Sequence, residues 1–383
     1  MAIDIKNLVE LIQKKEHGVD SNTSMQDMLD ILKAAQKAEG AVIRNYDSDG
    51  ALPDAATSYE RIAYMTDTKT LKLNNGAWDD PLLGAASTAA GYTYQGSAFG
   101  YTLGSNSSPT GNVIEKHSYT ADGNGTDVGD LSVWRGWVGG ASSADNGYAI
   151  GGQGSPSAIS AYTIDKHPFA SDGNATDVGD TATYTVGTGA SNDETHGYRA
   201  GSEVASASGG NAIERFPFAT DENATDVGDL SYAIRYSGGQ SSTTNGYISG
   251  GYDSPPASTI RNYIQKFPFA ASTTTSDIGD LTTGRFFPAA NSSSTHGYTA
   301  GGGSPSSQNI IDKFSFTSDG NATDVGDLQA AGSSIMGTSS TTHGFVQRSG
   351  NIDKYSFTSD ANATAVGTAA TSRGGLGSVG NQV

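Results

Sequence analysis

The sequence predicts an all-β protein that is mainly a six-bladed β-propeller, preceded by a small N-terminal domain of helices and a β-hairpin. One phrase recurs six times; a complete copy reads Ile-Asp-Lys-His-Pro-Phe over 164–169 and Asp-Gly-Asn-Ala-Thr-Asp-Val-Gly-Asp over 172–180. The Asp of Asp-Val-Gly falls at positions 127, 177, 226, 277 and 324, with Ala365 in its place in the sixth copy. A period of about 40–50 residues filled with short β-type segments is the signature of a propeller blade. The composition agrees, because 51 glycines and only 16% charged residues are typical of turn-rich all-β proteins.

Charge and cysteine content exclude several classes of function. The formal net charge is −18, and a field of that sign opposes binding to nucleic acid phosphates and to anionic membranes. The chain has no cysteine, so disulfides, thiolate metal sites and thiol catalysis are excluded. Residues 1–18 lack a basic head followed by an apolar run, and no segment approaches the length of a membrane span. We therefore expect no nucleic acid partner, no membrane insertion and synthesis in the cytoplasm without a signal peptide.

Residues 1–40 are predicted to form two short amphipathic helices. The first places Leu8 and Ile12 on one stripe, and the second follows a capping box at Thr23 to Gln26. The apolar residues of this second helix are Met25, Met28, Leu29 and Leu32. Two helices of this size cannot bury both stripes against each other. We expect the segment to attach the chain to a partner or to further copies of itself.

Residues 41–88 are predicted to form a small β-module and a linker. Two short strands are expected over 61–65 and 70–73, followed by a turn that ends at Trp78. The runs Gly-Ala-Leu-Pro over 50–53, Ile-Ala-Tyr over 62–64 and Leu-Lys-Leu-Asn-Asn-Gly-Ala-Trp over 71–78 resemble a small module of bacteriophage tail-fibre proteins. The resemblance implies attachment to a particle through residues 1–85 and a homotrimer, since trimers are usual for such fibres.

From residue 89 to residue 383 the repeats predict four strands in each blade. The first strand follows a frequent arginine (Arg135, Arg235, Arg285, Arg373), the second carries an aromatic-glycine pair, and the third alternates, as Ile213 and Glu214 do. The fourth strand surrounds Val-Gly-Asp. Seven candidates exist for the first strand, because both 90–95 and 374–380 qualify. We expect 374–380 to close the ring beside Phe99, Gly100 and Tyr101.

The order of arginine, strand, Gly-Gly and aromatic strand resembles kelch-type propellers, although the tryptophan usual near the fourth strand of kelch repeats is absent. The phrase Asp-Gly-Asn-Ala-Thr-Asp-Val-Gly-Asp-Leu more closely resembles propeller-bearing structural proteins of marine bacteriophages, especially cyanophages. That resemblance covers roughly 290 residues. It implies a virion component without a defined biochemical activity.

The acidic repeat element and the histidines are the candidates for a chemical site in this sequence. Asp172, Asn174 and Thr176 offer alternate oxygens, but the loop lacks the glycine and the glutamate that a calcium-binding EF-hand loop needs. An Asx-rich turn is the simpler interpretation. His196, His296 and His343 occupy equivalent positions where other copies have asparagine, which indicates a turn role. No distinct catalytic cluster interrupts the repeats, so we expect no enzyme, no cofactor and no metal.

The inserts between the second and third strands are the candidate partner-binding loops. They span 105–111, 154–163, 203–210, 252–263 and 303–308, and inserts of varying length map to one face of a repeat array, where partners bind. The candidate residues in them are Ser108, Pro109, Ser155, Pro156, Tyr252, Ser254, Pro255, Tyr263, Ser304 and Pro305. Trp134 and Trp137 occur in one blade only and fit either a sugar-stacking patch or the core of that blade.

Two functions from different classes remain. The first is a bacteriophage virion protein, such as a tail fibre or appendage, that displays its propeller for host attachment or serves as architecture. Its partners would be itself, other virion proteins through residues 1–85, and a host surface glycan or outer-membrane protein. The second is an exported, non-enzymatic bacterial propeller that binds carbohydrate, which would need an export signal.

Overall fold

A computed structural model shows each sequence repeat folded as a four-stranded antiparallel sheet. The structure describes residues 96–105, 111–155, 161–203, 210–253, 259–270, 274–348, 350–370 and 377–380, together with four short strands before them. The chain divides into two compact units, Met1–Gly91 and Tyr92–Val383. The described residues form strands and turns and include no helix.

The first unit contains a four-stranded sheet. Its strands are Arg44–Tyr46, Ile62–Met65, Thr70–Asn74 and Trp78–Asp79, in that spatial order. The first two strands pair in parallel and the others pair antiparallel, so Ile62–Met65 and Thr70–Asn74 form a hairpin where the sequence predicts one. The predicted helices of residues 1–40 lie outside the described residues. So do the residues proposed for their stripes: Leu8, Ile12, Met25, Met28, Leu29 and Leu32.

The second unit is a propeller of six blades, whose strands are named inner, second, third and outer. Blade 1 contains Gly377–Gly380, Phe99–Leu103, Val113–Ser118 and Thr126–Asp130; blade 2 contains Gly139–Ser142, Asn146–Ile150, Thr163–Pro168 and Thr176–Asp180. Blade 3 contains Gly189–Asn192, His196–Ala200, Ala212–Pro217 and Thr225–Asp229; blade 4 contains Gly238–Ser241, Asn245–Ser249, Tyr263–Pro268 and Ser276–Asp280. Blade 5 contains Ala289–Ser292, His296–Ala300, Ser306–Ser315 and Thr323–Gly332; blade 6 contains Met336–Ser339, His343–Arg348, Asn351–Ser356 and Thr364–Thr368.

Three of the blades have short additional strands beside their four main strands. Trp134–Gly136 pairs with Gln153–Ser155, Ile234–Arg235 pairs with Tyr252–Asp253, and Gly303–Ser304 folds back on the start of the third strand of blade 5. In the first two pairs, the segment before an inner strand pairs with the segment that follows the second strand of the same blade. In the third pair, the segment after the second strand pairs with the start of the third strand. These pairs therefore lie at the end of the propeller where the second strands end.

The two ends of the repeat region meet in blade 1, as the sequence predicts. Val379 pairs with Tyr101 and Gly380 with Gly100, so the inner strand comes from the C-terminal end and the other three strands from the start of the repeats. Each inner strand also contacts the inner strands of both neighbouring blades, including those of blades 6 and 1. The six blades therefore form a closed ring, and seven complete blades are excluded.

Aromatic side chains fill the space between blades in a repeating way. The tyrosine of a second strand stacks on the phenylalanine that follows the third strand of the next blade. Tyr148 lies 4.8 Å from Phe218 between ring centroids, and Tyr298 lies 4.7 Å from Phe357. Because each blade is covered by a neighbour on both sides, both faces of its third strand are buried. The expectation that Ile213 and Glu214 would lie on opposite faces is met, and neither face is exposed to solvent.

The buried acid of the third strand links each blade to the preceding connection. Asp165 accepts hydrogen bonds from the backbone N–H of Ser132 at 2.8 Å and from the Ser132 hydroxyl at 2.5 Å. Glu214, Asp312 and Asp353 receive equivalent bonds from the preceding connections. In blade 4 an amide, Gln265, takes this place and accepts from the N–H of Tyr232. These contacts satisfy backbone donors that the blade-to-blade connections would otherwise leave buried.

Arginine neutralises four of these acids, but not always from the predicted position. Arg135 and Arg285, which precede inner strands, pair with Asp165 and Asp312. Arg199 and Arg348 reach Glu214 and Asp353 from second strands. Arg235 is one position out of register, since Ile234 occupies the site equivalent to Arg135, and Arg235 pairs with Glu203 instead. Arg235 therefore precedes an inner strand as the sequence predicts, but its side chain does not have the role of Arg135 and Arg285. Arg373 lies outside the described residues.

The Asp-Gly-Asn-Ala-Thr-Asp element forms a turn that also reaches the neighbouring blade. Asn174 Oδ1 accepts from the N–H of Asp130, and the N–H of Ala175 donates back to the Asp130 carbonyl at 2.8 Å. The same reciprocal pair recurs at the equivalent residue of four other outer strands, those of blades 2, 4, 5 and 6. Asp172 additionally receives Lys116 of the preceding blade at 2.6 Å. The element therefore locks successive blades together.

The histidines divide into two structural groups. His196, His296 and His343 begin second strands, and their backbone N–H groups donate to Asp193, Ser293 and Ser340, as Asn146 and Asn245 do to Ser143 and Ser242. The predicted turn role is therefore observed. His117 and His167 instead replace a ring that other blades supply as Phe or Tyr in the third strand, and both are buried.

Candidate binding face

One end of the propeller collects the loops that vary among the repeats. In each blade the end of the second strand pairs with the start of the inner strand, as Ile150 pairs with Gly139. The loop after the second strand and the residue before the inner strand therefore lie at the same end. The outer strand ends there too, since Asp229 pairs with Ala212 at the start of the third strand. This end is called the loop face below.

A collar of backbone hydrogen bonds surrounds the propeller axis at the loop face. The residues just before five inner strands are Trp137, Gly187, Tyr236, Phe287 and Ser334. Each one from Gly187 onward donates its N–H to the carbonyl of the one before, over distances of 2.6 to 3.1 Å. All five have φ between 52° and 64°. This left-handed region suits Gly187, whereas it is strained for aromatic residues.

Three aromatic rings of the collar meet over the axis. Trp137 and Phe287, which come from blades 2 and 5, have ring centroids 6.1 Å apart, and Tyr236 lies 4.1 Å from Phe287. Because blades 2 and 5 stand opposite each other in the ring, these side chains close over the channel mouth. Beneath them is a cavity of about 140 Å³ along the axis. Small residues of the inner strands line it: Gly140, Ala190, Gly239, Ala290 and Gly337.

The aromatic cluster continues outward over blades 4 and 5. Phe286 contacts Phe287 at 5.5 Å, and Tyr252 stacks on Phe286 at 4.3 Å with an interplanar angle of 28°. The Arg235 guanidinium lies 5.3 Å from the Tyr236 ring and 5.8 Å from the Tyr252 ring. It is neutralised by Glu203, which also accepts the Tyr236 hydroxyl. Burial and this hydrogen bond raise the pKa of Tyr236 well above its usual range.

A second pair of rings extends the cluster toward the rim of blade 4. Tyr232 stacks on Tyr263 with centroids 4.4 Å apart, and the Arg261 guanidinium lies 5.3 Å from the Tyr263 ring. Arg261 binds both carboxylate oxygens of Asp253, at 2.7 and 2.6 Å. Asp253 follows Tyr252 in the same short strand, so neighbouring residues of blade 4 contribute to the two groups of rings. Tyr232 is 44% exposed, and among the described residues it is the one large hydrophobic side chain that is exposed to solvent.

The structure brings some of the predicted site residues together and separates others. Tyr252 and Trp137 belong to the central cluster and Tyr263 to the rim pair, while Trp134 packs over Gly111 and its strand pairs with Ser155. Ser304 and Pro305 form the tip of a short hairpin at the loop face. The remaining loop candidates lie outside the described residues: Ser108, Pro109, Pro156, Ser254 and Pro255.

Most residues of the cluster lie outside the inserts that the sequence singles out as binding loops. Tyr236, Phe286 and Phe287 precede inner strands, and Tyr232 follows an outer strand, so none belongs to an insert. The signal was nevertheless present, since an alignment of the repeats places Trp137, Tyr236 and Phe287 in one column. The ion pair between Arg235 and Glu203 links a connection to a distant insert, which no local pattern indicates.

The site residues suit contact with a ligand by stacking and hydrogen bonding. Within the described residues, no group of three or more His, Asp or Glu side chains is placed to hold a metal ion. That part of the chain also includes no helix of the length and apolarity required for a membrane span. No protein-family profile and no curated protein sequence matches this chain.

Proposed function

We propose that this chain is a bacteriophage virion structural protein, a tail fibre or related appendage, that displays a kelch-like propeller for attachment to a host or partner. In this proposal residues 1–40 form the helical segment that binds other virion proteins and associates as a homotrimer. Residues 41–88 form the connecting module, and the propeller is the exposed head. The protein acts by binding, without a catalytic step.

One observation carries the recognition role: half-buried aromatic residues and the inserts of variable length share the loop face. Loops can change without disturbing the packing of a rigid scaffold, which is why binding residues concentrate on them. Tyr, Trp and Arg are also the residues that contribute most to binding interfaces. Trp137, Tyr236, Tyr252 and Arg235 supply that combination here.

The blade-to-blade contacts support a display role. Ion pairs such as Lys116 to Asp172 and Lys354 to Asp122, together with the asparagine-mediated bonds, join neighbouring blades around the rim. A head held in this way keeps its binding face in one geometry, so little conformational entropy is lost on contact. In a trimer, and with several fibres on one particle, weak individual contacts add to a strong attachment.

The rival function is an exported bacterial propeller that binds carbohydrate through the same face. The two proposals differ in where the protein is found. An antibody against the propeller should decorate particles by immunogold electron microscopy and co-purify with them in a density gradient. Antibody labelling of uninfected bacterial surfaces, with none on particles, would favour the rival.

The attachment role of the N-terminal segment has a separate test. Light scattering should give a trimeric mass for the full chain and a monomeric mass for residues 86–383. An equal oligomeric state for the two would overturn the assignment of self-association to residues 1–85. A propeller fragment that still joins particles would overturn their attachment role.

A further inference from the structure

We propose that the aromatic residues of the loop face bind a neutral glycan chain, an inference that rests on the proposed recognition function and names its ligand. The site, called the aromatic strip, runs from the rim of blade 4 to the propeller axis. It consists of Tyr232, Tyr263, Tyr252, Phe286, Phe287, Tyr236 and Trp137, with Arg261 and Arg235 between the rings.

The exposure of the rings favours stacking against a ligand. Phe286, Phe287, Tyr236 and Trp137 are each partly exposed, and Tyr232 is the most open. Each ring contacts at least one neighbouring ring, so its position is fixed before a ligand arrives. A sugar ring presents an apolar face of C–H groups and an edge of hydroxyls, which matches an aromatic surface bordered by polar groups.

The charges of the aromatic strip favour a neutral ligand. Arg235 is paired with Glu203, and Arg261 binds Asp253 through two bonds, so each guanidinium is balanced by a carboxylate. The whole chain carries a net charge of −18, which repels an acidic polysaccharide. The paired groups retain hydrogen-bonding capacity at their exposed edges, since the Glu203 side chain is 36% and that of Arg261 32% exposed. Sugar hydroxyls can use both donors and acceptors there.

The aromatic strip does not follow from the repeat itself. The residues equivalent to Tyr232 in neighbouring connections are Val133, Thr183, Thr283 and Ala330. At the collar, Gly187 and Ser334 occupy the places that Trp137, Tyr236 and Phe287 fill elsewhere. A blade therefore closes without these rings, and three of them are kept at a strained φ of 52° to 57°. The fold requires the positive φ at all five collar positions but does not require aromatic residues there, and strained residues that the fold does not need are a sign of a functional position.

An unpartnered donor adds a second indication. The indole Nε1 of Trp137 is buried and has no hydrogen-bond partner, at the channel mouth where the aromatic strip ends. A buried donor without a partner costs free energy. Trp137 therefore costs stability through its indole as well as its backbone, as expected for a residue that is kept for binding and not for packing.

The test is binding of the full chain to a printed array of neutral oligosaccharides, with sialylated and sulfated oligosaccharides beside them. We expect binding to at least one neutral glycan and none to the acidic ones. Tyr232→Ala and Tyr252→Ala should each weaken that binding by about tenfold in calorimetric titration with the same glycan. Phe99→Ala is the control, since it removes a partly exposed ring at the start of the second strand of blade 1, at the end of the propeller opposite the loop face.

The outcomes separate this inference from the function on which it rests. Failure to bind any neutral glycan, binding to acidic glycans alone, or equal binding by all variants would overturn the inference. If Tyr232→Ala and Tyr252→Ala reduce adsorption of particles although no glycan binds, the contact is with a protein and the recognition function stands. Tyr232→Phe, which keeps the ring, should bind within about twofold of the natural chain, and its loss of binding would contradict the stacking role.

Discussion

The backbone N–H of Ala370 donates a hydrogen bond of 2.9 Å to Oε1 of Glu115, a residue 255 positions earlier in the chain. It repeats, across the junction of blades 6 and 1, the bond that Asp165 receives from Ser132 between blades 1 and 2. The junction also has the asparagine and lysine contacts of the other blades, through Asn124 and Asp122. The ring is therefore closed by the same contacts that join consecutive repeats.

The first prediction replaces Gln265 and Ile234 of blade 4 by the aspartate and arginine that form a buried ion pair in blade 2. Gln265 and Ile234 are both buried, and they occupy the positions at which blade 2 pairs Asp165 with Arg135. Gln265→Asp alone should lower the free energy of unfolding by about 3–5 kcal/mol at pH 7, because it buries an unpaired carboxylate. Ile234→Arg alone should also destabilise, and the double variant should recover much of the loss.

Urea unfolding of the four proteins gives the coupling energy of this double-mutant cycle. A favourable coupling of at least about 2 kcal/mol is expected for a desolvated pair in direct contact. If the loss of unfolding free energy in the double variant equals the sum of the two single losses, the residues at positions 234 and 265 do not interact.

The second prediction compares two glycines with the same backbone geometry. Gly129 and Gly173 both have a φ of 159°. A Cβ added at Gly129 would lie 2.2 Å from the carbonyl oxygen of Gly173 in the next blade, whereas a Cβ at Gly173 would meet nothing within 4 Å. Gly129→Ala should therefore lower stability by about 2–4 kcal/mol, while Gly173→Ala should cost about 1 kcal/mol. Thermal unfolding measures both, and equal losses would contradict the close approach of blades 1 and 2.

The third prediction concerns acid stability. Burial lowers the pKa of His167 to about 4, below the value of about 6.5 expected in the unfolded chain. As the pH falls from about 6.5 to 4, the unfolded state takes up a proton that the folded state does not, so the free energy of unfolding decreases. The decrease from this residue should reach about 3 kcal/mol. His117, whose pKa burial also lowers to about 4, should add a similar loss.

His167→Phe removes that contribution without loss of packing. Phe216, Phe267 and Phe314 occupy the same place in blades 3, 4 and 5, and neither ring nitrogen of His167 has a hydrogen-bond partner. We expect equal or higher stability at pH 7 and a shallower decrease toward pH 4 in chemical unfolding. His196→Asn, at a turn where other blades already have asparagine, should leave most of the decrease in place. An unchanged pH profile for His167→Phe would show that folding does not lower the pKa of this histidine.

The fold was predictable because the same strand pattern recurs in all six copies of the repeat. The period and the pairing of Val379 with Tyr101 follow from counting strands in the sequence. The links between blades were not predictable in the same way. Asn174 reads locally as a turn residue, and its bond to Asp130 joins positions 44 residues apart. The buried acids were also missed, because alternation in a single sheet predicts one solvent-facing side, and a propeller blade has none.

The candidate site was predictable only in part. Tyr252, Tyr263 and Trp137 were singled out because they lie in an insert or occur in one repeat alone. Tyr236 and Phe287 converge with Trp137 only because the ring places the starts of all inner strands around one axis. The distances between equivalent positions depend on the number of blades and on closure of the ring. Sequence spacing alone does not give these distances.

The rate of particle adsorption tests the central claim most directly. Particles that carry Tyr232→Ala together with Tyr252→Ala should assemble in normal yield, because Tyr232 is 44% exposed and neither ring belongs to the buried core between blades. Their adsorption rate constant should fall by about tenfold or more relative to natural particles and to particles with Phe99→Ala, which lies at the opposite end of the propeller. Adsorption at the natural rate by intact particles that carry the double variant would contradict a recognition role for the loop face.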